Sequence, residues 1–96
     1  MNIRFDAEAI SDLTRQLDYL LEQNAPAAAM ALEQRILGFI ELTLAVHPRV
    51  GTFVRHRGLW ETWVPRSRIV IWYRFTDREL QFVRLWHTSQ DRTRTT

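Results

Sequence analysis

The 96-residue sequence contains no cysteine and no lysine. Without cysteine there is neither a disulfide nor a thiolate metal site, so redox chemistry places no constraint on the compartment. The three histidines, His47, His56 and His87, are too scattered to form a ligand cluster, and no metal or other cofactor is expected. No stretch approaches the roughly 18 to 20 apolar residues needed to span a bilayer. The residues after Met1 are polar and strand-like rather than an apolar leader. A cytoplasmic protein with no membrane partner is the expectation.

Because lysine is missing, all 13 basic residues are arginines. Arginine carries a planar fork that pairs bidentately with carboxylate or phosphate and stacks on aromatic rings, which suits an acidic partner. Genome composition would produce the same bias without any partner. The distribution of charge says more than its total of +2. Residues 1–48 carry three arginines against seven acids, and residues 49–96 carry ten against four. The second half is the basic surface.

The 46% of hydrophobic residues is enough for a real core, and the length allows one domain over residues 1–96, with a polar and mobile tail from 88 to 96. Residues 2–5 alternate polar and apolar as a short strand does, and Asp6 suits a helix N-cap. Ile10, Leu13, Leu17, Leu20 and Leu21 recur at helical spacing up to about Gln23, with Asp12, Arg15 and Gln16 largely on the other face, and Asn24 terminates the helix. Pro26 fits a first helical position. A second run, Ala29, Leu32, Ile36, Phe39, Ile40 and Leu44, ends before His47-Pro48. The short joint makes the two helices an antiparallel hairpin.

From Gly51 the pattern changes to short aromatic and β-branched runs, punctuated at Arg57-Gly58, Pro65-Arg66-Ser67 and Thr76-Asp77-Arg78. The clearest strand is Arg68 to Phe75. Its alternation predicts that Ile69, Ile71, Tyr73 and Phe75 face the hairpin, while Arg68, Val70, Trp72 and Arg74 face away. The last strand, about Leu80 to His87, is apolar on both sides apart from Arg84, so its facing is ambiguous. The expected class is α+β: an N-terminal strand, a helical hairpin, then a three- to four-stranded antiparallel sheet packed on the hairpin.

This ordered set, comprising Ala25-Pro26-Ala27-Ala28-Ala29, Pro48-Arg49-Val50-Gly51, Arg57-Gly58-Leu59-Trp60-Glu61, Arg68-Ile69-Val70-Ile71-Trp72-Tyr73 and Val83-Arg84-Leu85-Trp86-His87, resembles the ParE/RelE superfamily of toxins over nearly the whole chain. The resemblance implies the toxin of a type II toxin–antitoxin system, neutralised by a cognate antitoxin. That antitoxin would be ParD-like, with a ribbon-helix-helix N-terminus, and would form a higher-order complex with the toxin. Two modes of harm occur in the superfamily. ParE-type members act on DNA gyrase and are not enzymes; RelE-type members cleave messenger RNA on the ribosome.

RNA cleavage needs a base, an acid and a cation beside the phosphate, and Glu61, His87 and Arg68 are the candidates. RelE-like nucleases resemble each other in lysine and arginine clusters and often a late tyrosine. This sequence has no lysine, and no tyrosine after Tyr73. The ParE branch is therefore favoured, with Glu61 and Arg68 read as a cross-strand ion pair and His87 as a structural hydrogen-bonding residue. The face bearing Arg68, Trp72 and Arg74, with Trp60, Arg84 and Trp86 alongside, mixes the residue types that dominate interface hot spots. It is expected to receive the antitoxin rather than a nucleic acid. Arginine stacking on tryptophan to shield an exposed sheet is the alternative that needs no partner. A homologue that binds antitoxin without being toxic is a further possibility. The alanines at the start of helix two offer a low-relief surface where another helix could approach.

Overall fold

The computed structural model describes residues 1–88, so the segment assigned as a mobile tail lies outside the described residues apart from Thr88. The elements are β1 (Asn2–Phe5), α1 (Ala7–Glu22), α2 (Pro26–Phe39), β2 (Thr52–Val54), β3 (Leu59–Trp63), β4 (Ile69–Phe75) and β5 (Glu79–His87). A π-helical turn, Ile40–Leu44, continues α2. No helix among the described residues is long and apolar enough to cross a membrane.

Local chemistry marks the helix boundaries. Asp6 occupies the N-cap position of α1, but its carboxylate caps nothing; it accepts a hydrogen bond from Gln81 Nε2 at 2.8 Å, tying the helix start to β5. Asn24 ends α1 with φ of 58°, a left-handed conformation that Asn tolerates better than most residues. Pro26 opens α2, where its missing N–H costs nothing.

The α+β class is as expected, with one difference of detail: the sheet has five strands and is mixed. Its order is β1-β5-β4-β3-β2. Strands β2 to β5 form the expected antiparallel meander, whereas β1 pairs parallel to β5, from Asn2↔Glu79 to Phe5↔Phe82. Composition cannot reveal this, because a strand's neighbour is chosen by where the intervening chain returns. A parallel pair needs a long crossover, and the helices together with the meander supply it.

The main core lies between the hairpin and one sheet face. Ala9, Ile36, Ile40 and Leu44 meet Ile69, Ile71, Tyr73 and Leu80 there, with Phe75 partly buried against them. From Ile69 to Phe75 the facing expected for β4 is the one observed, whereas Arg68, expected to face away, precedes the strand and lines a groove on the hairpin side. On α1 the sequence pattern is less faithful: Ile10 and Leu21 are exposed, while Asp12 is 4% exposed.

A β-bulge resolves the ambiguity of β5. Trp72 pairs with Arg84 but Tyr73 pairs with Phe82, leaving Val83 as an extra residue that switches the alternation. Leu80, Phe82 and Leu85 therefore all reach the main core, and Trp86 joins Val70 on the other face. An apolar strand that changes parity looks apolar on both sides.

Candidate functional site

The face of the sheet away from the hairpin holds a second cluster of Leu59, Val70, Trp72 and Trp86. The two indoles meet edge to face at 4.4 Å. They are 9% and 7% exposed, so they act here mainly as packing. Arg57 lies over the Trp72 ring at 4.6 Å, and Trp72 Nε1 donates to Glu61 Oε2 at 2.7 Å. The stacking of arginine on tryptophan anticipated for this face is present, and the arginine is Arg57 from the turn before β3. Arg74, next on this face of β4, is exposed.

Three residues grouped with this surface from the sequence, Trp60, Arg84 and Arg68, are engaged elsewhere, Arg68 in a groove on the hairpin side. Trp60 sits on the hairpin face, packed between Phe53 at 5.6 Å and Phe75 at 5.2 Å. Its register opposite Tyr73 requires this, since paired residues share a face. Arg84 pairs with Trp72 and so starts on this face, but its guanidinium is held by α1. Its Nε and Nη2 donate to the two Asp12 carboxylate oxygens at 2.7 and 3.1 Å, and Nη1 approaches Glu8 at 3.4 Å. The hydrogen bond to Asp12 pushes the guanidinium further above its already high pKa, against the opposing effect of burial. Asp12 also accepts from the Leu85 backbone N–H at 3.0 Å. It thereby occupies the edge of β5 that β1, which ends at Phe5, does not reach.

The three residues considered for RNA cleavage are divided between the two faces. Ile69 pairs with His87, and the Thr88 N–H donates to the Arg68 carbonyl, so Arg68 and His87 stand together where β4 begins and β5 ends. Both line a groove of about 550 Å³ shared with α1 and α2. Glu61 lies opposite Trp72 on the far face, with Trp72 rather than Arg68 as its cross-strand partner. Sequence reasoning missed Arg15 and Arg35, which complete the groove from the helices. Helical spacing was the available signal, since Arg15 shares a face with Tyr19 and Arg35 with Leu32. Among the described residues no group of three His, Asp or Glu side chains is placed to hold a metal ion.

At the other end of the sheet Tyr73 fastens the Pro48–Val50 turn. Its hydroxyl donates to the Pro48 carbonyl at 2.7 Å and accepts from the Gly51 N–H at 3.2 Å. Burial raises the phenol pKa, and the Gly51 hydrogen bond opposes that rise. A Cβ added to Gly51 would lie 2.5 Å from Tyr73 Oη and 2.6 Å from the Glu61 carbonyl oxygen, so backbone as well as side chain would have to move. Gly51→Ala is expected to cost about 1 to 3 kcal/mol, as overpacking does. Thermal unfolding checks this, and an unchanged Tm would show that the turn relaxes freely.

A family model described as the ParE toxin of the type II toxin–antitoxin system parDE matches residues 3–92. Among solved structures, the chain is similar to one described as a chromosomal ParDE TA system from P. aeruginosa. That likeness has a TM-score of 0.76 at 19% identity and covers 91% of this chain and 95% of the other; at this identity it speaks to the fold. No curated protein matches.

Proposed function

This chain belongs to the ParE toxin family of type II toxin–antitoxin systems, and from that premise we propose that it acts by binding rather than by catalysis, with a cognate antitoxin neutralising it and DNA gyrase as its target. The observation that carries the non-catalytic reading is the division of the acid–base set. A general acid and base must both come within hydrogen-bond reach of one reacting group. Glu61 is turned to the Trp72 indole on one face, while Arg68 and His87 line the groove on the other. The family's association with a paired antitoxin supports a dedicated protein partner, expected to be ParD-like and to assemble with this chain into a higher-order complex.

The test is direct. Purified protein added to gyrase and relaxed plasmid is expected to block supercoiling, while messenger RNA on programmed ribosomes stays intact. Codon-specific cleavage of that RNA, with supercoiling unaffected, would overturn the reading in favour of a RelE-type nuclease.

A further inference from the structure

The outer face of α2 carries a furrow of about 520 Å³ between the helix and the turn that joins β3 to β4. Ala31, Gly38 and Leu42 share its helical wall, and Pro65 and Arg66 form the other. Leu42, on the π-helical turn that continues α2, is 78% exposed, and Met30 and Val46, exposed as well, stand before and after it along the chain. A Cβ added to Gly38 would meet nothing within 4 Å, so the chain's own packing does not require glycine there, although glycine weakens a helix relative to alanine. What glycine allows is the close approach of another backbone. Charge is divided across this face. At about 100° per residue, Arg35 lies on one flank of the line through Ala31, Gly38 and Leu42, and Glu41 lies on the other. Arg35 and Arg66 line the furrow with no carboxylate among the described residues, while Glu41 is exposed and makes no ion pair among them.

We propose that this face is a self-association surface on which two copies of the chain cross antiparallel, with Gly38 on the two-fold axis, Leu42 of each copy seated in the other's furrow and Glu41 paired with the partner's Arg35. The inference is independent of what the chain inhibits and of what neutralises it. Arg35 and Glu41 lie equally far from Gly38 along the chain, three residues before it and three after. Antiparallel pairing about Gly38 therefore sets them level, and the two-fold rotation exchanges the flanks, so a guanidinium meets a carboxylate on both sides of the crossing. The same register sets Leu42 level with the partner's Gln34, within the lining of the furrow, and Met30 level with the partner's Val46. Self-complementarity of this kind is what an isologous interface demands, and an unrelated partner would have no need of it. With no side chain at the crossing point, the helices come close enough for Leu42 to be covered and for the Arg35 fork to hold Glu41 bidentately.

Sedimentation of the purified full chain over a concentration series tests this, and a reversible equilibrium between monomer and dimer is the expected result. Arg35→Glu and Glu41→Arg should each weaken the dimer roughly 100-fold, because like charges across an interface repel and the two-fold axis counts every substitution twice. Their combination should restore it, since the exchanged charges complement each other again. Gly38→Leu should abolish the dimer without lowering Tm, because the new side chain enters space that is open in the monomer. Arg78→Glu, in the turn between β4 and β5, serves as the control and should leave association unchanged. Circular dichroism and melting of each variant establish that the fold is retained. A chain that stays monomeric at the highest attainable concentration, or a dimer that tolerates Gly38→Leu, would overturn the proposal. Failure of the charge exchange to restore association would overturn the pairing of Arg35 with Glu41. A monomeric chain whose affinity for the purified product of the adjacent antitoxin gene falls with Gly38→Leu would overturn the second copy as occupant and assign the face to the antitoxin.

Discussion

Asp12→Ala is expected to destabilise the domain by about 2 to 4 kcal/mol. The carboxylate is 4% exposed and carries three duties: two hydrogen bonds from Arg84 and one from the Leu85 backbone N–H. Removing one partner of a buried charged pair costs about 3 to 5 kcal/mol when the other charge is stranded. Arg84 is 30% exposed, so water can take over part of its solvation and the loss is smaller. The Leu85 N–H has no such recourse, and an unsatisfied buried donor alone costs about 1 to 3 kcal/mol. Urea denaturation checks the value. Asp12→Asn should lose less, because an amide oxygen can still accept from Leu85 while the charge is gone. Equal losses for the two variants would show that the ion pair, not the strand edge, is the stabilising element.

Ile71→Ala is expected to cost about 2 to 5 kcal/mol, the range for deleting a buried branched side chain and leaving a cavity. Ile71 is 1% exposed in the centre of β4, between Thr62 on β3 and Leu85 on β5, on the face covered by the hairpin. The site sits under two helices and between two strands, so it cannot easily collapse. For a domain of this size each kcal/mol moves Tm by roughly 4 to 8 °C, so the drop should be visible in a single melt. A loss below about 1 kcal/mol would mean that the hairpin does not press on this part of the sheet.

Much of the architecture was legible from the residues because it depends on period alone. Alternation along Arg68 to Phe75 distinguished the two faces of β4, and Pro26 and Asn24 marked the turn between the helices by their backbone preferences. The candidate site was legible only in fragments. Trp72, Arg74 and Trp86 lie on the away face of β4 and β5 as their spacing implies, yet Trp60 does not, Arg68 lines the groove on the hairpin side, and Arg84 is drawn aside to α1. Arg15 and Arg35 were invisible as site residues because charged positions on a helix normally signify a solvated face, and only the convergence of four elements gives them a shared groove.

The opening feature of the sequence, arginine without lysine, takes on a different meaning in the folded chain. The arginines divide into distinct environments: Arg57 over an indole, Arg84 in a partly buried ion pair, and Arg15, Arg35 and Arg68 around an apolar trough. By itself the sequence determined the class, the helical hairpin and the strands of the meander, because hydrophobic period and turn chemistry are local properties that each segment carries wherever it goes. Only the tertiary structure decided the parallel pairing of β1 with β5, the parity switch at Val83, the burial of Asp12 and the gathering of the groove. Each of these depends on which distant segment supplies the missing neighbour, and no local pattern records that.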